Sequence, residues 1–203
     1  LPSVTFRLTA EDPTIGYVGL SRFSGESGRE VGAALQELLA QGATRFILDL
    51  RQNGGGLRDS AVEVADHFLN AGPVLYIQSQ DEDERVFNST DKTLLPAEPL
   101  VVLVDGGTAS AAEIVAGALR DRDRATLIGA KTLGKGSVQL VFDLSDGSSV
   151  HVTSARWLTP DHQQLDQTGL EPDIPIEVTQ DDIDNGRDPA LTRAVQFLQE
   201  VNP

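Results

Sequence analysis

The chain has 203 residues, with 16 Lys and Arg against 31 Asp and Glu and a net charge of −15. That length fits one sizeable domain, and 39% apolar content is enough to bury a core, which argues against wholesale disorder. The acidic balance argues against nucleic acid and anionic membrane as main partners, since both are polyanions, and the lack of cysteine excludes disulfides, thiolate metal sites and a cysteine nucleophile.

Residues 1–14 read as an extended N-terminal segment and Ile15 to Leu20 as a short strand. Val31, Ala34, Leu35, Leu38 and Leu39 recur at helical spacing, predicting a helix over 28–41 with Gly42 as its stop. Arg45 to Leu50 predicts a buried strand, the glycines 54–56 a turn, and Asp59 to Leu69 a second helix. Val74 to Ser79 is a further strand, followed by a solvated acidic turn over 81–84 and then Arg85-Val86-Phe87. The only linker-like stretches are the two ends and 81–99. Leu100 to Val104 predicts a third apolar strand, with a helix over 109–119 after the loop Asp105-Gly106-Gly107, and Thr126 to Ile128 a short strand. Residues 137–144 and 148–156 flank Asp146-Gly147, a hairpin signal. Asp188-Pro189 places Asp at N-cap and Pro at N1 of a last helix. Strands alternating with helices predict an α/β layered fold, with a mostly parallel central sheet and an added antiparallel hairpin. No apolar run approaches the ~20 residues that span a bilayer. The chain has no methionine, even at position 1, so it reads as processed or trimmed, with upstream domains missing.

Three stretches carry candidate chemistry. Residues 129–135 (GAKTLGK) fit the first seven positions of a phosphate-binding loop. The eighth is Gly136 where a magnesium-holding hydroxyl belongs, and a strand rather than a helix follows, so nucleotide binding is rejected. What remains is Lys135 between two glycines. It is either an exposed turn lysine or an amine held by Gln139, which shares its face of an extended strand. The second stretch is Asp105 to Glu113, where Ser110 stands at a helix start among small residues. Ser110 or Thr108 can simply be an N-cap. Alternatively Ser110 is a nucleophile, with the Ala111 N–H helping to stabilise an oxyanion. Thr108 stands where the Gly-x-Ser-x-Gly elbow needs glycine. The third stretch is Asn53-Gly54-Gly55-Gly56-Leu57, either a flexible turn or a backbone that approaches a substrate. His67, His151 and His162 have no partner at metal-ligand spacing, and the acidic run 181–186 lacks the pattern of a calcium loop.

Together these blocks resemble the carboxyl-terminal processing peptidases, or tail-specific proteases. Residues 107–119 (GTASAAEIVAGAL) are similar to the family's nucleophile segment, and Lys135 and Gln139 follow Ser110 at family spacing. Residues 48–57 (LDLRQNGGGL) are similar to its glycine-rich oxyanion region, with Gly54 in place of a frequent proline. Leu158-Thr159-Pro160 and 169–174 (GLEPDI) match later landmarks, while Ala112 stands where many members have Ser. The resemblance runs from about Ile15 to Val195 and implies a layered α/β/α core of the crotonase/Clp-protease-like kind.

It also implies a serine endopeptidase with Ser110 as nucleophile, Lys135 as base and Gln139 orienting the amine. The N–H groups of Gly56 (or Gly55) and Ala111 would form the oxyanion hole, and burial would keep the lysine neutral. No metal or cofactor is required. The implied substrate is the C-terminal region of unfolded or tagged polypeptides. Family members usually carry a peptide-binding PDZ domain before this region, for which there is no room here. The whole of 1–203 therefore reads as one catalytic domain, placed by the resemblance in a periplasm, cell envelope or lumen. The alternatives are a non-catalytic ligand- or peptide-binding module on the same scaffold, or a catalytic domain held inactive without its PDZ partner.

Overall fold

The computed structural model describes residues 3–79 and 83–201, apart from the side chains of 139–141 and 151. Six strands form the central sheet: β1 (Val4–Leu8), β2 (Ile15–Leu20), β3 (Arg45–Asp49), β6 (Leu100–Val104), β7 (Thr126–Gly129) and β10 (Ile174–Pro175), side by side in that order. Only β1 runs antiparallel to its neighbour. A sheet covered on both faces needs apolar residues on both, which explains the unbroken run LVVLV of β6. Alternation then divides the core. Phe46, Leu48, Val102 and Val104 face a cluster shared with helices α1 (Ser27–Ala40), α2 (Arg58–Asp66) and α3 (Ala111–Asp121). Ile15, Ile47, Val101, Leu103 and Ile128 face Ala190, Ala194, Val195 and Leu198 of α5 (Pro189–Glu200). Each of the Val, Leu, Ile and Phe side chains contributes about 1.5–3 kcal/mol by burial, and the layering is α/β/α as expected.

The expected hairpin, β8 (Ser137–Asp143) and β9 (Ser149–Leu158), joins a separate antiparallel sheet rather than the parallel one. That sheet has the order β5-β4-β9-β8, with β4 spanning Gly72–Ser79 and β5 Arg85–Ser89. Gly147 supplies the positive φ of +85° at the hairpin turn.

Several local expectations shift. The helix expected from 109 begins at Ala111, because Thr108 spends its hydroxyl on Leu50 O (2.8 Å) and on the Asp105 N–H (3.0 Å) instead of capping. The helix expected to reach Leu69 ends at Asp66. The N-terminal segment holds the edge strand β1, and β10 and the short helix α4 (Gln180–Asp184) were not foreseen. Residues 83–99 are no linker: Leu95 is fully buried, and Arg124 donates to Leu95 O at 2.8 Å and Glu98 O at 2.9 Å. Burial pulls the Arg124 pKa below its ordinary value. The acidic turn over 81–84 lies partly outside the described residues. Asp188 caps α5 as expected, accepting from the Leu191 N–H at 2.9 Å. It also accepts from Arg51 Nη1 at 2.8 Å, and Arg51 Nη2 donates to Asp49 at 2.6 Å. These contacts tie α5 to the carboxyl end of β3, where the chain enters the site.

Candidate active site

The site stands where β3 and β6 end, outside the carboxyl edge of the parallel strands, the usual place for a ligand on such a sheet. Ser110 is the turning point between β6 and α3, with φ +54° and ψ −116°. For a residue with a Cβ this conformation costs about 1–3 kcal/mol, so the surroundings must impose it. They do so through buried polar groups. The Ala109 N–H donates to Asn53 O at 2.9 Å and the Ser110 N–H to Glu113 Oε2 at 2.9 Å. Asn53, with no exposure, donates to Leu20 O at 2.8 Å and accepts from the Gly55 N–H at 2.9 Å.

The glycine turn has a steric cause. A Cβ on Gly55 would stand 2.8 Å from both Ala109 O and the Ser110 Cβ, and one on Gly56 would stand 2.1 Å from Phe23 O. Both have positive φ, +99° and +143°. Glycine here lets the 53–57 loop lie directly against the Ser110 turn. Gly54 has open space around its Cβ position, so nothing steric requires glycine there. The Gly55 N–H is consumed by Asn53, which removes Gly55 from the expected pair of anion donors. The N–H groups of Gly56 and Ala111 have no hydrogen-bond partner among the described residues. They are the two groups that can receive developing negative charge beside Ser110.

Glu113 falls within the 105–113 stretch, but its type and local spacing assign it no catalytic role. It is fully buried. Its carboxylate accepts from the Ser110 N–H, from Thr132 Oγ1 at 2.5 Å, from the Gly134 N–H at 2.7 Å and from the Lys135 N–H at 2.9 Å. One oxygen, Oε2, therefore holds the backbone nitrogens of both Ser110 and Lys135. The two nitrogens cannot be farther apart than twice that bond length. The spacing Ser-x-x-Glu at a helix start is a capping-box signal and was available in the sequence.

Lys135 lines one cavity with Ser110. The cavity has a volume of about 380 Å³, and Leu57, Leu75, Ile114, Val138 and Trp157 form its apolar wall. Trp157 pins the lysine backbone, its Nε1–H donating to Lys135 O at 3.0 Å. The side chain of Lys135 is exposed, not buried as expected. The reason is alternation: Thr132, Gly134 and Gly136 face inward, while Lys131, Leu133 and Lys135 face out. The glycines serve close packing, since a Cβ on Gly134 or Gly136 would stand 2.6 Å from backbone nitrogens of Gly169 and Asp166. They do not open a pocket for the amine.

For Gln139 the structure describes the backbone alone. Lys135 precedes β8, and the β8–β9 register shifts between Val138 and Gln139. The extra residue at this irregularity, Ser154, lies on β9, so the two-residue alternation of β8 itself is kept. The backbone of Gln139 pairs with Thr153, and its side chain lies outside the described residues.

Comparison with known proteins shows the family. The chain matches the family model for peptidase family S41 over residues 14–176. It is 43% identical over 164 residues to the carboxyl-terminal-processing protease of Synechocystis sp., which covers 81% of this chain and 38% of that protein. It is 40% identical over 168 residues to the chloroplastic carboxyl-terminal-processing peptidase 2 of Arabidopsis thaliana, covering 82% and 33%. The chain thus spans about a third of the length of these relatives. A solved structure of a photosystem II D1 C-terminal processing protease superposes with a TM-score of 0.78 at 37% identity, over 87% of this chain and 49% of that one.

Proposed function

The chain belongs to peptidase family S41, and we propose that it hydrolyses peptide bonds in C-terminal regions of unfolded or tagged polypeptides. The carrying observation is the strained Ser110 turn with two unpartnered N–H groups beside it, sharing a cavity with Lys135. Ser110 Oγ attacks the scissile carbonyl, and the carbonyl oxygen takes charge toward the N–H groups of Gly56 and Ala111. Lys135 Nζ removes the hydroxyl proton and returns it to the leaving amine. Water then clears the acyl-enzyme. Gln139 orients the amine in this reading, as the family resemblance implies.

An amine works as a base only in its neutral form, which desolvation favours. Because Lys135 is exposed, the polypeptide that fills the cavity supplies that desolvation. The same exposure favours a second reading, in which the chain alone is a resting catalytic domain that a peptide-binding PDZ domain aligns. We place the reaction outside the cytoplasm, in keeping with the chloroplastic relatives. Among the described residues no helix is long and apolar enough to cross a membrane.

The test is digestion of casein by wild type, Ser110→Ala and Lys135→Ala, followed on a gel. Wild-type cleavage with a loss of about 10³-fold or more in each variant supports the dyad. Undiminished cleavage by Lys135→Ala would sink it. No cleavage by wild type moves the choice to the resting-domain reading, which addition of a PDZ domain then tests.

A further inference from the structure

The proposed cavity holds a second cation that the peptidase reading does not use. Arg58 is the first residue of α2, directly after Gly56 and Leu57, and lines the same cavity as Ser110 and Lys135. Its position runs against local stability, because a positive charge in the first turn opposes the helix dipole. Its guanidinium is nevertheless held in place. The Phe87 ring centroid lies 4.3 Å from its Cζ, a cation–π contact. Asp59 Oδ1 takes Nε at 2.8 Å and Nη2 at 2.6 Å, leaving Nη1 without a hydrogen-bond partner among the described residues. Arg58 is half-buried and Asp59 exposed, with side chains 38% and 75% accessible, so the pair is weak and open to competition. No Asp or Glu lines the cavity among the described residues, although the chain carries 31 of them. A cleft with two cations and no acid, in a protein of net charge −15, selects for a negative group on whatever enters it.

We propose that Arg58 is a specificity-determining residue that recognises a carboxylate on the polypeptide substrate, close to the bond that Ser110 attacks. The proposal rests on the peptidase reading of this cavity. A guanidinium takes a carboxylate through two parallel N–H bonds, which a neutral amide cannot match. Two sources present the same group: an Asp or Glu side chain flanking the cut, or a free C-terminus.

Paired fluorogenic peptides separate these sources. One pair differs by Glu against Gln beside the cut, the other by a C-terminal acid against an amide. Each is assayed with wild type, Arg58→Leu and Arg58→Lys. The expected result is a kcat/KM ratio of about fivefold in favour of the carboxylate in one pair, falling toward one in Arg58→Leu and partly retained in Arg58→Lys. The pair that responds names the source. The preference also shrinks as salt is raised. A ratio of one in wild type for both pairs, or a preference that survives in Arg58→Leu, overturns the proposal. If wild type cleaves none of the peptides, the peptidase reading is what fails. The same four peptides, labelled and bound to Ser110→Ala, then decide the Arg58 proposal by the acid-to-neutral ratio of their affinities. Circular dichroism of each variant checks that the fold is retained.

Discussion

Around Ser110, the fully buried Asn53, Thr108 and Glu113 hold three loops together with hydrogen bonds of 2.5 to 3.0 Å. On the hairpin β8–β9, by contrast, Phe142, Leu144, Val150 and Val152 stand 43 to 51% exposed, and the strands hold one another chiefly through their ladder. Both regions border the proposed cavity, but they carry different burdens. The first positions backbone groups to within a fraction of an ångström, which requires buried polar bonds with no slack. The second bears Gln139 on β8, the edge strand of its sheet. The Ser110 side is therefore fixed by buried bonds, while in the proposed mechanism the amine of Lys135 waits on what binds.

Glu113→Ala tests that contrast most severely. It leaves four donors without their acceptor, so we expect a loss of about 3–5 kcal/mol in urea unfolding together with loss of hydrolysis. Glu113→Gln keeps one acceptor oxygen and should cost less. A stable, active Glu113→Ala protein would break the claim that this carboxylate sets the geometry.

The glycine turn gives a finer comparison. Gly55→Ala brings a Cβ to 2.8 Å from Ala109 O at a φ of +99°, so a loss of about 1–3 kcal/mol and a lower kcat are expected. Gly54→Ala, in open space, should leave the unfolding midpoint close to wild type. Equal effects at the two positions would refute the steric account.

Behind the stapled loops, Tyr17 donates to Asp49 Oδ2 at 2.8 Å. Burial, reinforced by the charge of Asp49, pushes the phenol up to about 12. The unfolded phenol titrates at about 10, so the raised folded value contributes stability that is fully present below pH 10. That stability is lost as pH rises toward 12. Urea midpoints between pH 9 and 12 should fall more steeply in wild type than in Tyr17→Phe. The smallest effect is expected on the open hairpin, where Val152→Thr should change stability by no more than about 0.5 kcal/mol.

Much of the site was legible before the fold. Ser110, Lys135 and the glycine run stood out by type and spacing, and the cap of α5 by the Asp-Pro pair. The start of α3 was misplaced because Thr108 and Ser110 compete equally as caps within their own segment. The choice fell to Leu50 O, 58 residues away. Glu113 hid among helix residues, since its partners at 132, 134 and 135 lie beyond any local window. The expected burial of Lys135 failed for the same reason: the glycines beside it answer to the backbone at 166–169, not to the lysine.

Periodicity, turn residues and caps act over a few neighbouring positions, so the amino-acid order alone set the elements, their apolar faces and the residue types available for chemistry. Which sheet the hairpin joined, which N–H groups stayed unpartnered beside Ser110, and which charges came to line one cavity were decided by packing. Those outcomes depend on hydrogen bonds and steric limits between segments far apart in the chain, and such contacts exist only once the layers have closed.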